Sequence, residues 1–465
     1  MPDRRDDLDS WLDGRIEPLP PPPRTFDLIK RRARRRKYRR LAVTAGAAAA
    51  VVAAVVTVPQ VVNLPVLNPT TATGVGANGR TPATTASAGA STSTSSATPI
   101  PAHGPAPVPA HFKPTSVTFI GTQTGWVIGQ AGVPGFCATP YCTSLARTDD
   151  AGKVWTGVPA PLTGPADGAT GVSQVRFLNG GDGWAFGPEL FATHDGGHSW
   201  TRMATNGLRV TDLETVGHRA FALFASCTGT GAAFAAQCTG YTLYSSPASS
   251  DDWTPVGPST SGLAGGAASF VLTGTRGYLL APDRMLYAGP VDGSAPWQQV
   301  KQIPCPVGTP LADGAPTGAL LAAANATNLV LACASSSAPG LQQAKQVFTS
   351  ADGGMAWQNA VAAPALGLAT SVAASPSGTY ILATTRGLDV LLAGSATWQA
   401  ATLNGPPPAG GFGYVGMTTD QQGIALPANP TTGAVWFTFD GGKTWAPSHV
   451  SLCAPGIQGS RGSPG

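Results

Sequence analysis

Short apolar runs recur along most of the chain, and a tryptophan follows each run. Seven runs, among them GWVIG, GWAFG and GYLLAP, begin near residues 125, 183, 220, 277, 329, 380 and 423. Their β-branched and aromatic residues are typical of buried strands. The tryptophans are Trp155, Trp200, Trp253, Trp297, Trp357, Trp398 and Trp445. Their spacing of 41 to 60 residues is the length of a four-stranded blade. The two patterns predict an all-β fold, a seven-bladed β-propeller over residues 112–455.

Four of these tryptophans end a repeated phrase. THDGGHSWTR and TFDGGKTWAP match closely, whereas RTDDAGKVWT and TSADGGMAWQ lack the Ser or Thr before Trp. In such a phrase the Asp accepts backbone N–H groups of a tight turn, and the Gly adopts a left-handed conformation. The Trp has the bulk to lock one blade against the next. The predicted turn residues are Thr148, Asp150, Gly152, Trp155, Thr193, Asp195, Gly197, Trp200, Ser350, Asp352, Gly354, Trp357, Thr438, Asp440, Gly442 and Trp445.

This phrase is the Asp-box, or BNR, signature, and the chain resembles the proteins that carry it. These are sialidases, xyloglucan-cleaving glycosidases, sortilin-type receptors and photosystem II assembly factor-like propellers. The photosystem II assembly factor-like propellers share a second feature with the chain, because they also have a GW-x-x-G strand before the phrase. The resemblance implies that the box aspartates are structural and lie away from an active site. Calcium binding by a box turn is the alternative, with too few converging oxygens to favour it.

The distance from each apolar run to its tryptophan differs between blades. It is 29, 32 and 27 residues in blades 1, 3 and 5 and 16 to 21 in the others. We therefore expect insertions between the second and third strands of those three blades. We call the face with these connections the insertion face and the opposite face, with the Asp-box turns, the box face. Propellers usually bind ligands on the insertion face.

Six cysteines accompany these insertions, and close spacing outside the cytoplasm favours pairing among the 15 possible connectivities. We predict the disulfides Cys137–Cys142, Cys227–Cys238 and Cys305–Cys333, with Cys453 free or paired elsewhere. No C-x-x-C spacing indicates a zinc site, and we predict neither a metal nor a cofactor. Four aromatic residues in or beside the tied loops are the predicted contact residues: Phe136, Tyr141, Phe234 and Tyr241.

The N-terminal quarter has a different composition. Residues 1–40 form a basic tail that ends in KRRARRRKYRR, and the next eighteen residues are apolar and uncharged. We predict a transmembrane helix over 41–63 with the tail in the cytoplasm, and a cleaved signal peptide is the alternative. The Pro-, Thr-, Ser- and Ala-rich residues 64–111 are predicted to be a disordered linker, and residues 456–465 a disordered tail.

Charge excludes one class of partner. The tail has 13 basic and 7 acidic residues, whereas residues 111–465 have 14 basic and 17 acidic residues. The propeller therefore lacks the positive charge that nucleic acid requires. The tail is similar to those of actinobacterial single-span proteins encoded beside alternative sigma factors. This similarity leaves a contact between the tail and a transcription factor as an alternative function.

Catalytic residues are hard to find. Sialidases use three arginines, one of them in an R-I-P motif, with a Tyr–Glu pair and an Asp, and this chain has no R-I-P. A glycosidase needs two facing carboxylates, but no candidate lies in a recognisable motif. The trio Asp212, Glu214 and His218 is interpreted as a solvated blade surface. Outside the boxes and turns, the candidate carboxylates are Asp167, Glu189, Asp212, Glu214, Asp283, Asp389 and Asp420.

The sequence therefore predicts a non-catalytic binding module rather than an enzyme. It would be anchored in the cell membrane by a single helix, with the propeller outside the cell, and would bind a protein or a cell-wall glycan. The alternative is a diverged, sialidase-like exo-acting glycoside hydrolase.

Overall fold

The computed structural model describes residues 107–133, 136–166, 170–227, 238–261, 268–305, 319–338, 342–359 and 362–450. All of them belong to one compact unit, Thr98–Gly465. The predicted cytoplasmic tail, membrane helix, nearly all of the linker and the C-terminal tail lie outside them, as do Asp167, Phe234 and Cys453. Within the described ranges, no helix has the length and apolarity needed to cross a bilayer.

The chain forms seven antiparallel sheets, as predicted. Blade 1 contains β1 (Phe112–Phe119), β2 (Gly125–Val133), β4 (Thr143–Thr148) and β5 (Thr156–Val158), with a short β3 (Phe136–Cys137) paired to β2. Blade 2 contains β6 (Gln174–Phe177), β7 (Gly183–Phe186), β8 (Leu190–Thr193) and β9 (Thr201–Arg202). Blade 3 contains β10 (Arg209–Val216), β11 (Arg219–Cys227), β12 (Cys238–Pro247) and β13 (Thr254–Ser261).

The remaining four blades repeat this order. Blade 4 contains β14 (Ser269–Leu272), β15 (Arg276–Leu280), β16 (Met285–Pro290) and β17 (Gln298–Gln302). Blade 5 contains β18 (Ala319–Ala323), β19 (Leu329–Ala338), β20 (Gln342–Ser350) and β21 (Gln358–Asn359). Blade 6 contains β22 (Ala369–Ala374), β23 (Tyr380–Thr384), β24 (Leu388–Leu391) and β25 (Gln399–Ala400). Blade 7 contains β27 (Phe412–Met417), β28 (Gly423–Pro427), β29 (Ala434–Thr438) and β30 (Thr444–His449), with β26 (Thr402–Leu403) parallel to β30 and a 3-10 helix at Pro430–Thr432.

From blade 1 to blade 7 the first strands of successive blades contact one another, and β1 closes the ring against β28 and β29 of blade 7, which places the first strands around a central channel. Because each sheet is antiparallel and in sequence order, the second-to-third connections lie opposite the Asp-box turns. The second strand is nine or ten residues long in blades 1, 3 and 5, and four or five residues long in the others. The predicted insertions are therefore present on the predicted face.

The hydrophobic core is divided into seven clusters, one at each seam between adjacent blades. Each cluster contains one of the seven repeated tryptophans. Trp445 is completely buried between blades 6 and 7, whereas the cluster between blades 5 and 6 is built from smaller Ala, Val and Leu side chains with Trp398 at its edge. Each of the seven repeated tryptophans therefore packs in a seam between two blades, as their spacing predicts.

The ring closes between blades 7 and 1 without exchange of a strand. Both blades take their main strands from continuous segments, and side chains join them. Ser448 donates its hydroxyl hydrogen to the carbonyl of Gly152, and Trp155 Nε1 donates to Ser448 Oγ at 3.4 Å. Gln422 Nε2 donates to the carbonyl of Thr122 at 3.0 Å. All seven seams therefore form within residues 107–450.

The Asp-box turns share one hydrogen-bond scheme. In blade 7, Thr438 Oγ1 donates to Asp440 Oδ1 at 2.8 Å, and Asp440 Oδ1 also accepts the backbone N–H of Thr444 at 2.9 Å. Gly442 has a φ of +91°, and a Cβ there would lie 2.3 Å from Ile381 Cδ1 of blade 6. Glycine is therefore required both for the turn and for close contact with the preceding blade.

The Ser or Thr before Trp separates the two closest boxes from the two others. Ser199 and Thr444 donate their hydroxyl hydrogens to the second carboxylate oxygen of Asp195 and Asp440, at 2.5 and 2.7 Å. Val154 and Ala356 occupy that position in blades 1 and 5 and have no hydroxyl. Partial burial of Asp195 is outweighed by its hydrogen bonds with Ser199 and Thr193, which lower its pKa to about 2.

A histidine links blades 2 and 3 on the box face. His194 Nδ1 lies 2.8 Å from Asp182 Oδ1, and its Nε2 lies 2.9 Å from Asp251 Oδ2 in the next blade. The hydrogen bond with Asp182 raises the pKa of His194 more than burial lowers it, and Asp251 raises it further. Asp251 also accepts from Trp184 Nε1 at 2.9 Å. The imidazole of His194 therefore joins two blades through one carboxylate on each side.

Candidate functional site

The insertion of blade 1 presents an exposed aromatic residue directly before a loop that is closed by a disulfide. The structure pairs Cys137 with Cys142, and β3 pairs with the end of β2. Phe136 is 83% exposed at this hairpin, and Tyr141 is 48% exposed beside the second cysteine. Two of the four predicted contact residues therefore lie together at the surface of the insertion face.

The other two predicted contact residues do not join them. Tyr241 is 3% exposed and lies in the hydrophobic cluster between blades 3 and 4, so its prediction as a contact residue was wrong. It alternates along β12 toward the core, because Leu243 two residues later lies in the same cluster. Burial accordingly raises the pKa of the Tyr241 hydroxyl. Phe234 lies outside the described residues.

The remaining disulfides also match the predicted pairs. Cys227 and Cys238 join the facing ends of β11 and β12 in blade 3. Cys305 and Cys333 join the segment before blade 5 to its second strand. The disulfides therefore fix the same three blades that carry the insertions.

A groove runs beside the Phe136 loop at the insertion-face end of blade 1. Its volume is about 360 Å³, and none of the described residues that line it is charged. Leu162 is 78% exposed at its rim. We call this cleft the blade 1 groove. It is lined by Pro107, Pro109, Thr139, Pro140, Tyr141, Thr143, Ser144, Leu145, Gly157, Val158, Pro159, Ala160, Pro161 and Leu162.

Two hydroxyl groups of the groove lining are buried without a partner. Thr143 and Ser144, at the start of β4, are 3% and 2% exposed. In the part of the chain that the structure describes, neither Thr143 Oγ1 nor Ser144 Oγ makes a hydrogen bond. An unsatisfied buried hydroxyl is costly and rare in native proteins. Because successive side chains of a strand point to opposite faces, Thr143 lies on the side of Leu145, toward blade 2, and Ser144 on the side of Ala146, toward blade 7.

The proline-rich wall of the groove is fixed by hydrogen bonds. Trp200 Nε1 of blade 2 donates to the carbonyl of Pro159 at 3.0 Å. Beyond Leu162, Thr163 Oγ1 donates to Glu189 Oε2 at 2.6 Å. Arg202 forms an ion pair with the other oxygen of Glu189 at 2.6 Å. Glu189, a candidate catalytic carboxylate in the sequence, therefore holds the wall of the groove.

A second polar cluster lies in the central channel. Arg176 Nε donates to Glu214 Oε1 at 3.0 Å across blades 2 and 3, and Arg176 Nη1 donates to Ser116 Oγ of blade 1 at 3.3 Å. The adjoining cavity has a volume of about 330 Å³ and is also lined by Tyr414 of blade 7. Asp212 and Glu214 therefore face the channel. The interpretation of Asp212, Glu214 and His218 as a solvated blade surface was wrong, because Arg176 holds the two carboxylates on the channel side of the blades.

Asp212 is held by the backbone. Its two carboxylate oxygens accept the N–H groups of Leu213 at 3.0 Å and of Phe270, in blade 4, at 3.2 Å. Burial raises the pKa of Asp212, the nearby charge of Glu214 raises it further, and Arg176 offsets part of the increase. The cluster therefore connects the first strands of blades 1 to 4, and each carboxylate has a protein partner.

The other candidate carboxylates are dispersed. Asp283 and Asp420 accept backbone N–H groups, from Met285 at 2.9 Å and from Ser377 at 2.6 Å. Burial raises the pKa of Asp389 to about 6, although Lys345 lowers it in part. Asp167 lies outside the described residues. Among those that are described, no group of three or more His, Cys, Asp and Glu is arranged to hold a metal ion.

Sequence reasoning missed three parts of these sites. The run PAPL (159–162) lies between two blades and has no charge, and the groove wall could have been predicted from this feature. Arg176, in the apolar strand QVRF, was a signal for a buried ion pair. Thr143 and Ser144 resemble ordinary strand residues, and only their burial distinguishes them.

Comparisons with known proteins concern the fold of the chain. No protein-family model matches the chain, and no curated protein matches it in sequence. Among solved structures, YCF48 bound to D1 peptide aligns with a TM-score of 0.47 and 15% identity, over 72% of this chain and 95% of that chain. YCF48 from Cyanidioschyzon merolae aligns with a TM-score of 0.40 and 15% identity, over 60% and 85%. The GH74 enzyme of Niastella koreensis aligns with a TM-score of 0.37 and 12% identity, over 73% and 66%. At these identities the similarity concerns the fold alone, and the seven-bladed propeller follows from the chain's own sheets.

Proposed function

We propose that this protein is a non-catalytic, membrane-anchored binding module that captures a partner protein outside the cell. The observation that carries the proposal is Phe136, which is 83% exposed in β3, directly before Cys137 of the Cys137–Cys142 disulfide. An exposed aromatic side chain on a constrained loop loses little conformational entropy when a partner covers it. Aromatic residues of this kind dominate many protein interfaces.

The neighbouring groove supports the same surface. Tyr141 belongs to both the disulfide loop and the groove lining, so a ligand in the groove would also contact the loop. The walls are held by Trp200 and Glu189 rather than assembled on binding. A preformed, largely apolar cleft with a few polar groups is the usual form of a recognition site.

Location outside the cell is part of the proposal. Three disulfides are typical of proteins from oxidising compartments. The apolar span 41–63, the preceding basic residues and the uncharged linker 64–111 support a single-pass anchor with the N-terminus in the cytoplasm. A regulatory contact of the tail with a transcription factor remains a separate proposal that concerns residues 1–40.

A diverged glycosidase is the second candidate. The observation that favours it is the pair of carboxylates Asp212 and Glu214 on β10, since Glu214 contacts Arg176, which lines the channel cavity. Against it, Glu214 is paired with Arg176 and both oxygens of Asp212 accept backbone hydrogens. A hydrolase needs one carboxylate free to transfer a proton and another free to attack or to activate water.

The binding proposal is tested with the full chain in its native membrane. Surface proteins retained by the wild type are quantified against those retained by the Phe136→Ala/Tyr141→Ala variant. Phe439, which is 58% exposed, provides the matched control Phe439→Ala. We expect the double variant to lose at least tenfold of one specific protein, while Phe439→Ala retains it. Retention of the same protein by all three chains would contradict the proposed surface.

The hydrolase alternative needs its own assay. The same chain is incubated with a panel of cell-wall and host glycans while released reducing ends are measured. We expect no release. Release that Glu214→Gln abolishes would replace the binding proposal with the enzyme, and a glycan that binds without release and depends on Phe136 would replace the protein partner with a glycan.

A further inference from the structure

We infer that a groove between blades 5 and 6 on the box face binds a neutral sugar, the terminal unit of an uncharged oligosaccharide. This site lies on the face opposite the Phe136 loop, and it does not depend on the proposed function. We call it the seam 5/6 groove. It is lined by Asn328, Thr349, Ser350, Ala351, Gln358, Ser377, Gly378, Tyr380, Leu391, Leu392, Ala393, Gly394 and Ser395.

An Asp-box turn closes the box-face end of four seams. The last glycine of each box lies so close to the preceding blade that a Cβ there would meet a side chain of that blade at 2.3 to 3.2 Å. Each turn therefore covers the seam in front of its own blade. The contacts are Gly152 with Phe437, Gly197 with Leu145, Gly354 with Leu286, and Gly442 with Ile381.

Two seams without an Asp box are closed by charged side chains. In blade 3, Asp251 accepts from Trp184 Nε1 and lies 2.9 Å from His194 Nε2, both of blade 2. In blade 4, a Cβ at Gly293 would lie 3.6 Å from the guanidinium carbon of Arg219 in blade 3. The third-to-fourth turns of blades 3 and 4 therefore also reach the preceding blade.

The corresponding turn of blade 6 leaves its seam uncovered. A Cβ at Gly394 would have no atom within 4 Å. The backbone N–H of Ser395 donates to the Leu392 carbonyl, and that of Ala393 donates to Thr379 Oγ1, so both hydrogen bonds stay within blade 6. The result is a groove of about 440 Å³, which is within the range of small-molecule sites.

Blade 6 also places an aromatic side chain where other blades have glycine. In blades 1, 2 and 7 the second strand begins with a glycine that pairs with a large residue of the first strand. These pairs are Gly125 with Phe119, Gly183 with Phe177, and Gly423 with Met417. In blade 6 the sizes are exchanged, because Tyr380 pairs with Ala374. Tyr380 packs at the edge of the cluster between blades 5 and 6 and lines the groove, where its ring can pack against the apolar C–H face of a sugar.

The polar groups of the groove match sugar hydroxyls. In the part of the chain that the structure describes, the side-chain amides of Asn328 and Gln358 and the Tyr380 hydroxyl make no hydrogen bond. Burial raises the pKa of the Tyr380 hydroxyl, which keeps it a hydrogen-bond donor at neutral pH. An amide donates and accepts at the same time, and so does a sugar hydroxyl.

The neutral lining selects against charged ligands. None of the described residues that line the groove is charged. A carboxylate or ammonium group of a ligand would lose water there without gaining a charged partner. An aromatic ring beside two unpartnered amides therefore favours an uncharged sugar over an acidic sugar or a charged peptide.

The test is calorimetric titration of the full chain, purified in a detergent that has no sugar head group. The ligands are maltotriose, xylotriose and chitotriose, with trigalacturonate as the charged comparison and acetyl-tetraalanine amide as the peptide comparison. We expect saturable binding of at least one neutral trisaccharide and at least tenfold weaker binding of both comparison ligands. No saturable binding of a neutral trisaccharide would overturn the inference, as would equal or tighter binding of trigalacturonate or of the peptide.

A matched pair of variants locates the sugar. Ala393→Trp fills the groove and should weaken binding at least tenfold, whereas Ala396→Trp, exposed in the same turn but outside the lining, should not change it. Unchanged affinity in Ala393→Trp would contradict the site. Gln358→Ala, at an exposed position, should weaken binding by about fivefold, the equivalent of one hydrogen bond. Tyr380→Phe retains the ring and should bind more tightly than Tyr380→Ala.

The two proposals fail separately. The Phe136→Ala/Tyr141→Ala variant should bind the sugar as the wild type does, and Ala393→Trp should retain the partner protein. Sugar binding that is lost in Phe136→Ala/Tyr141→Ala and kept in Ala393→Trp would move the sugar to the insertion face and overturn this inference. If the sugar binds through the seam 5/6 groove but no protein is retained, the proposed function fails while this inference stands.

Discussion

The two faces of the propeller are built in opposite ways. On the box face, four turns repeat the same hydrogen bonds, in which the Asp carboxylate accepts from a Thr or Ser hydroxyl and from a backbone N–H. On the insertion face, the second-to-third connections vary from three residues in blades 2, 5 and 6 to ten in blade 3, and the disulfides of the described residues lie in blades 1, 3 and 5 or directly before blade 5. Repetition on one face therefore serves assembly of the ring, and variation on the other leaves room for recognition.

Two exposed phenylalanines differ between the box face and the insertion face. Phe439 on the box face stacks on Phe437 with ring centroids 6.1 Å apart, so its neighbour in the same strand supports it. Phe136 on the insertion face is more exposed and lies in the short strand β3, next to the Cys137–Cys142 disulfide. Phe439 is an exposed residue of the scaffold, and Phe136 is a candidate contact residue.

The largest expected effect lies in a seam. Trp445→Ala should lower the free energy of unfolding by about 3 to 5 kcal/mol, because it empties a fully buried site between blades 6 and 7. Phe136→Ala should change it by less than about 0.5 kcal/mol, since the side chain is exposed. Denaturant titration followed by tryptophan fluorescence measures both. A large loss of stability in Phe136→Ala would make the insertion loop part of the scaffold.

A smaller effect is expected in the box turns. Asp440→Ala should lower the free energy of unfolding by about 1 to 2 kcal/mol, since the turn loses the acceptor for Thr438, for the Thr444 backbone and for the Thr444 hydroxyl. Asp150→Ala should cost less, because Val154 provides no second side-chain donor. Equal losses in thermal melting of the two variants would show that the Ser or Thr before Trp has no role.

Acid should weaken the box face selectively. The pKa of Asp195 is lowered to about 2 from an ordinary value of 3.8. A carboxylate with a lowered pKa contributes stability that is present above its unfolded pKa and is lost as the pH falls through the folded value. We expect wild-type stability to fall between about pH 4 and 2 and the fall to be shallower in Asp195→Asn. A parallel fall in both chains, followed by circular dichroism, would contradict this assignment.

The smallest expected effect is at the histidine between blades 2 and 3. The pKa of His194 is raised above its ordinary value of 6.5 by Asp182 and Asp251. Its contribution to stability should be complete below pH 6.5 and lost as the pH rises through the raised pKa. The midpoint of thermal unfolding should therefore fall from pH 6 to pH 8.5 more in the wild type than in His194→Gln. An identical pH dependence would exclude His194 as a pH-dependent link.

The sequence predicts the fold well because every blade repeats the same requirement. Each seam needs a bulky residue at its edge, and Trp155 through Trp445 provide it at regular spacing. Contact residues carry no such period. Phe136 and Tyr241 are both aromatic residues beside cysteines, yet strand alternation buries only Tyr241.

The channel cluster shows the same limit. Asp212 and Glu214 are two apart on one strand, which the sequence shows, but their partner Arg176 comes from the preceding blade. Glu214 and Arg176 are separated by a whole strand-and-turn unit of the chain, and a single sequence holds no information on such pairs unless they recur in every blade.

The central claim is tested most directly by placing a photo-crosslinking benzoylphenylalanine at position 136 or at position 439 of the full chain in its own membrane. The account predicts a discrete crosslinked polypeptide from position 136 and none from position 439, although both side chains are exposed. The same polypeptide crosslinked from position 439 alone, or equally from both positions, would contradict the assignment of recognition to the insertion face.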